Sequence, residues 1–260
     1  MPLARKLPSF AIALALSATV LIAGCATRSI SNSGYVKPSF WAGRTAQNPL
    51  YRGELSEFDL LGIDPMASVG ADEIEREFRV HARPALRTGT AVMLIQSGAM
   101  IPDATMTTAL GRYYEIAAFS GIPQEPVRAS TDNHRDYSMN LRLAAAKGGY
   151  PVIIVYWGVL ETAVDKLGTK AVSWIPFAGS AVRDEQQRMR IRLKIAVLDT
   201  RSGQWEMLAP QPLETAATSA RRSRESSDQS QVEQLKHDAY EAAASEITKR
   251  YAEPRGVAQG

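Results

Sequence analysis

The run Arg188-Met-Arg-Ile-Arg-Leu-Lys-Ile-Ala-Val-Leu198 alternates with great regularity at its start. Met189, Ile191, Leu193, Ile195 and Val197 fall on one side, and Arg188, Arg190, Arg192 and Lys194 on the other. Successive side chains of a strand point to opposite faces, so this pattern demands a sheet with one packed face and one wet face. Asp199-Thr-Arg-Ser-Gly203 follows as a turn with Gly203 placed for a positive φ, and Gln204-Trp-Glu-Met-Leu208 returns as the partner strand of a hairpin.

Upstream, Pro151-Val-Ile-Ile-Val-Tyr-Trp-Gly158 is β-branched and continuous, which marks a central strand. Thr90 to Ser97 is a compact apolar run bounded by Gly89 and Gly98, as in a strand covered on both faces. Pro102-Asp103 opens a helix in which Met106, Leu110, Tyr113, Tyr114 and Ala117 recur every three or four residues, until Gly121 and Pro123 end it. A short extended piece follows around Pro126 to Ser130. A second helix is expected from His134 to Lys147, with Tyr137, Leu141, Ala144 and Ala145 on one side, Asp132 as its cap and Gly148-Gly149 at its end.

Ala71 to Val80 suits a short, charged helix. The Ser/Arg-rich stretch 217–229 reads as exposed, and Ser230-Gln-Val-Glu233 has the form of a capping box. It opens a terminal helix whose Val232, Leu235, Ala239, Ala243 and Ile247 share one face. The order β-α-β-α-β-β-β-α predicts an α+β domain, with helices packed on a mixed sheet of four to five strands.

The N-terminus bears on the compartment. Arg5 and Lys6 precede an apolar run from Phe10 to Ala23, which ends in Leu21-Ile22-Ala23-Gly24-Cys25, the anatomy of an export signal. The cleavage neighbourhood resembles the lipobox of bacterial lipoproteins, in which small residues precede a cysteine that is diacylated before the signal is removed. Ile22 stands where that family usually carries Leu. The competing reading is an uncleaved membrane helix, since the apolar stretch approaches the ~17–25 residues of a span.

Cys25 is the only cysteine of 260 residues, so no intramolecular disulfide can form, and acylation accounts for a lone thiol in an oxidising compartment. Two or more acyl chains, of the palmitate kind, anchor stably at ~0.8 kcal/mol per buried CH2. Ala26 follows the cysteine where an aspartate would retain the protein, which the resemblance to lipoproteins takes as direction to the outer membrane, facing the periplasm. Loss of residues 1–24 removes Arg5 and Lys6 and no acidic residue. Lys+Arg then falls from 30 to 28 against 27 Asp+Glu, and the formal charge from +3 to +1. The basic balance of the precursor is thus no sign of a nucleic acid partner.

Beyond the signal peptide (1–24), the chain divides into a lipidated tether (25–55), an N-terminal extension with a short helix (56–84), the α+β domain (85–252) and a tail (253–260). The tether is rich in Ser, Asn, Gly and Thr. Tyr35, Phe40, Trp41 and Tyr51 interrupt it, as if part of it lay against the domain.

Three features together, the element order, the Gly149-led central strand and the Val197-Leu-Asp-Thr-Arg-Ser-Gly-Gln-Trp205 hairpin, resemble periplasmic lipoproteins of the CsgG and TolB N-terminal kind over roughly residues 85–252. That resemblance implies a binding or oligomerising module in envelope assembly, secretion or stress, without catalysis. The pore-forming behaviour of CsgG does not carry over, because two membrane-spanning hairpins are not visible in this sequence.

Chemistry is thin. There is no His-Glu-x-x-His, no Gly-x-Ser-x-Gly and no phosphate-binding Gly-rich loop, and His81, His134 and His237 stand far apart. Asp132-Asn-His-Arg-Asp136 comes nearest to a metal site, with Asp132, His134 and Asp136 as ligands. Zinc needs three or four converging ligands, however, and Arg135 opposes a cation, so a capped helix start with solvated charges is the favoured reading. No cofactor is expected.

The basic row Arg188, Arg190, Arg192 and Lys194 suits either an anionic lipid, glycan or acidic partner, or a solvated sheet face with acidic residues opposite. The apolar stretch 170–182, with Trp174, Pro176 and Phe177, is either a lid over the sheet end or a partner contact. The function expected is a non-enzymatic envelope lipoprotein, a membrane-tethered module that binds an envelope protein or oligomerises. A tethered peptidase-type hydrolase is the alternative.

Overall fold

The computed structural model describes residues 26–32, 51–123, 133–166, 185–219 and 224–252. In chain order its elements are β1 (Ala26–Ser29), a 3-10 turn (Ile30–Asn32), α1 (Glu57–Leu61), α2 (Ala71–Val80), β2 (Ala91–Gln96), α3 (Ala104–Gly111) and β3 (Glu115–Phe119). There follow α4 (Asn133–Gly148), β4 (Val152–Lys166), β5 (Glu185–Asp199), β6 (Trp205–Leu208), β7 (Leu213–Ser219) and α5 (Arg224–Ala252).

The spine is the antiparallel pair β4–β5, matched from Val152↔Asp199 to Lys166↔Glu185. Its lower half is flanked by β2, which runs parallel to β4, and by β6; β3 extends the sheet beyond β2. Its upper half is flanked by β1 on β4 and β7 on β5, both antiparallel. Among the described residues the sheet is therefore mixed, with helices packed on it, which is the expected α+β class, but it has seven strands and not four to five, because β1 and β7 add to the upper half.

The two faces are covered unequally. On one, α3 and α5 pack over a core that runs the length of the spine, including Val92, Leu94, Ile154, Tyr156, Leu160, Ile191 and Ile195. On the other, α1 and α4 cover only the lower half, over Met93, Ile95, Ile153, Val155, Ala196 and Leu198. This division is written into β5. Its charges alternate with apolar residues up to Lys194, where one face is wet, and Ile195 to Leu198 are unbroken apolar residues where both faces are buried.

Several expectations meet the structure directly. The helices at 71–80 and about 134–147 form, Gly149 closes α4 at φ 81°, and Gly203 takes φ 75° in the hairpin turn. Others are corrected. The helix opened by Pro102-Asp103 ends at Gly111 and not near Gly121, and Tyr114 and Ala117 belong to the entry and body of β3. Met106, Leu110 and Tyr114 are all buried in one core, so the helical spacing persists past the point where the helix stops. The strand expected near 126–130 lies outside the described residues.

The central strand does not stop at Gly158 but runs on to Lys166. The terminal helix begins at Arg224, so the Ser230–Glu233 box lies inside it. Residues 26–32 and 51–55, expected within a tether, are part of the fold. β1 is a sheet strand, and Ile30 and Leu55 are core residues. The reason is that β1 is an edge strand held by backbone pairing, which Ala-Thr-Arg-Ser supplies without any apolar period.

Candidate functional site

The middle of the spine, where β2 ends and β1 begins, gathers the polar side chains buried most deeply, Gln96 and Ser97. β1 pairs Ala26↔Thr162 through Ser29↔Val159. The next residue, Ile30, is 2% exposed and fills the space above Gly158. A Cβ on Gly158 would stand 2.8 Å from Ile30 Cγ1 and 2.9 Å from Cγ2, and closer still to Cδ1. Gly158 is thus a socket, which is what glycine inside a strand often marks.

Ser31 continues the docking. Its hydroxyl donates to the Ser97 carbonyl at 2.5 Å and accepts from Gln96 Nε2 at 3.0 Å. Ser97 Oγ in turn accepts the Leu55 N–H at 2.7 Å, and Trp157 Nε1 donates to the Leu55 carbonyl at 2.9 Å. Two stretches distant in sequence are therefore fastened to the same strand end.

From Gln96 a buried chain of bonds crosses to α5. Gln96 Oε1 accepts from the Tyr156 hydroxyl at 2.5 Å and from the Asp103 N–H at 2.7 Å. The Tyr240 hydroxyl donates to Asp103 Oδ2 at 2.6 Å, and Lys236 Nζ stands 3.1 Å from the same oxygen with its side chain only 7% exposed. Tyr156 and Tyr240 meet edge to face at 5.8 Å. Asp103 occupies the N-cap position of α3 yet makes no side-chain capping bond, because its carboxylate is committed to α5.

Burial, and next to it the Asp103 carboxylate, hold the Tyr156 phenol well above its ordinary value. Burial also raises Tyr240, with Tyr156 and Asp103 adding to it, and pushes Tyr137 up to about 12 beside Asp59. A phenol raised in the native state contributes stability in full below the unfolded value of ~10 and loses it as pH climbs through the native value. The expected result is unfolding above pH ~10 in which phenolate absorbance and loss of circular dichroism rise together. Phenolate appearing in full while the dichroism is native would contradict it.

The basic row of β5 lies on the wet upper face and meets carboxylates. Arg190 Nε donates to Glu161 Oε2 at 2.6 Å, Arg192 Nε stands 3.2 Å from Glu161 Oε1, and Lys194 pairs with Glu57 of α1. Glu214 of β7 is the register partner of Arg190. Such exposed pairs contribute ~0.2–1 kcal/mol each. Trp174, Pro176 and Phe177, Asp132 and Cys25 lie outside the described residues.

His134 and Asp136 sit in the first turn of α4, with Asp136 exposed. His81 is at the end of α2, beside Gln204, and His237 is on the exposed side of α5, so the three histidines are not brought together. Among the described residues no three His, Cys, Asp or Glu side chains converge to hold a metal ion, and no helix is long and apolar enough to cross a membrane. α2 buries none of its residues and leaves Ile74 and Phe78 50% and 75% exposed. Sequence reasoning passed over Ile30, Gln96, Asp103 and Lys236 as a set. The available signals were a glycine inside an apolar strand and a glutamine ending another.

A family model described as YafT bacterial lipoprotein matches residues 56–250, from α1 to near the end of α5, which is 195 of the 260 residues. The chain belongs to the YafT bacterial lipoprotein family. This membership supports the lipoprotein reading of the N-terminal signal, although Cys25 and β1 precede the matched span. No curated protein matches the chain. Among solved structures, a Helicobacter pylori protein described as a neuraminyllactose-binding hemagglutinin homolog is similar at 10% identity and a TM-score of 0.29, over 66% of this chain and 90% of that one. A likeness that loose carries no structural or functional weight.

Proposed function

We propose that this family member is a non-enzymatic module of the cell envelope, held by lipid on Cys25 to the outer membrane on its periplasmic side, that binds an envelope protein or a second copy of itself. Membership of a bacterial lipoprotein family carries the reading. The lipobox-like Leu21-Ile-Ala-Gly-Cys25 supplies the attachment point, and Ala26 after it fits an outer-membrane address. The resemblance to CsgG and TolB N-terminal lipoproteins gives the same expectation of binding without turnover.

The test is Cys25→Ser in the full precursor, with acyl labelling and membrane fractionation. The parent is expected to take up label and to sediment with outer membranes, and the variant to do neither. Unchanged sedimentation of the variant would contradict the anchor. Near-stoichiometric zinc in the purified protein, or turnover of peptide substrates lost on a point substitution, would overturn the non-enzymatic part.

A further inference from the structure

We propose that the upper end of the β4–β5 pair lies against the membrane surface, and that β1 sets this orientation; the proposal rests on lipidation of Cys25. The geometry comes from register. Ala26 pairs with Thr162, and the Cα of Cys25 is only ~3.8 Å from that of Ala26 across a trans peptide bond. The lipid therefore leaves the protein at about the level of Ala163, whose partner on β5 is Arg188.

A free Gly/Ser-type tether of twenty-odd residues would span roughly 25 Å and let the domain turn in any direction. Here the strand begins one residue after the attachment point, and Ile30 and Ser31 lock its other end into the core. The opposite end of the spine, Val152↔Asp199 with the turn through Gly203, lies ten residues further along β4, about 34 Å away at ~3.4 Å per residue.

Arg188 stands at the level of the lipid, and Arg190 and Arg192 follow on the same face at intervals of ~7 Å. Glu161, Glu214 and Asp165, which by register stands on the same face beyond Ala163, balance these three arginines, so the orientation rests on the register of β1 and not on a net charge.

The experiment uses the lipidated full-length protein in vesicles of phosphatidylethanolamine and phosphatidylglycerol that contain a headgroup-nitroxide lipid. Because Cys25 is acylated, a single introduced thiol takes the fluorophore. Glu214→Cys reports the upper end and Ser202→Cys the turn, both at exposed positions. Most of the emission is expected to be lost at Glu214→Cys and nearly all of it kept at Ser202→Cys. Equal loss at the two positions, or greater loss at Ser202→Cys, overturns the orientation.

A Gly/Ser insertion of about ten residues between Cys25 and Ala26, spanning roughly 17 Å, is expected to abolish the difference. A difference that survives the insertion overturns the role given to β1. Intact mass is read first: a product without lipid on Cys25 removes the anchor itself, an outcome distinct from a lipidated protein that shows no preferred end.

Discussion

Replacing Gly158 by valine is expected to drive Ile30 out of the core and to release β1 from the sheet. The new side chain would occupy space that Ile30 fills, with contacts under 3 Å to its Cγ1 and Cγ2. β4 cannot yield, because it is paired with β5 on one side and with β2 and β1 on the other. Two outcomes compete. Overpacking with Ile30 in place costs ~1–3 kcal/mol, and ejecting Ile30 forfeits ~1.5–3 kcal/mol of burial.

Either way urea unfolding should show a loss of about 2 kcal/mol. The smaller pair Gly158→Ala with Ile30→Ala should fit together, and a double-mutant cycle should return ~1–2 kcal/mol of coupling between the two sites. Gly158→Val as stable as the parent, or additive single effects, would refute the socket.

Asp103→Ala is expected to be the more damaging change. It removes the carboxylate that faces the Lys236 ammonium and accepts from Tyr240, while both of those groups stay buried. Stripping one partner from a buried ion pair costs ~3–5 kcal/mol, and the 30% exposure of the Asp103 side chain argues for the lower figure, about 3 kcal/mol. Asp103→Asn with Lys236→Met should lose much less, since an amide oxygen still accepts from Tyr240 and no buried cation is left alone. If the double variant is as unstable as Asp103→Ala, the cost lies in α3 and not in the pair.

How far the sequence foretells this molecule differs from element to element. β5 is legible from Arg188 onward, where its alternation marks the wet half of the sheet, while Glu185 to Gln187 carry no such pattern. α2 shows itself through its charged composition, and α4 through its apolar period and the glycine that closes it. β3 is hidden because Tyr114 keeps the helical spacing of Met106 and Leu110 after the chain has left the helix at Gly111.

β1 is hidden for a different reason. Its four residues contribute backbone, and the side chain that fixes them, Ile30, is explained only by a glycine 128 positions later. The polar chain from Ser31 to Lys236 joins five elements or their ends, and no local pattern announces a network whose members meet only after folding.

The central claim is that the chain next to Cys25 is a strand of the domain and not a leash. Hydrogen exchange on the mature protein reads this directly at the amides of residues 27–31. The structure predicts slow exchange there, of the same order as at Val159 to Thr162 of the strand they pair with. Exchange at the rate of an unstructured peptide, with β4 and β5 still protected, would contradict it.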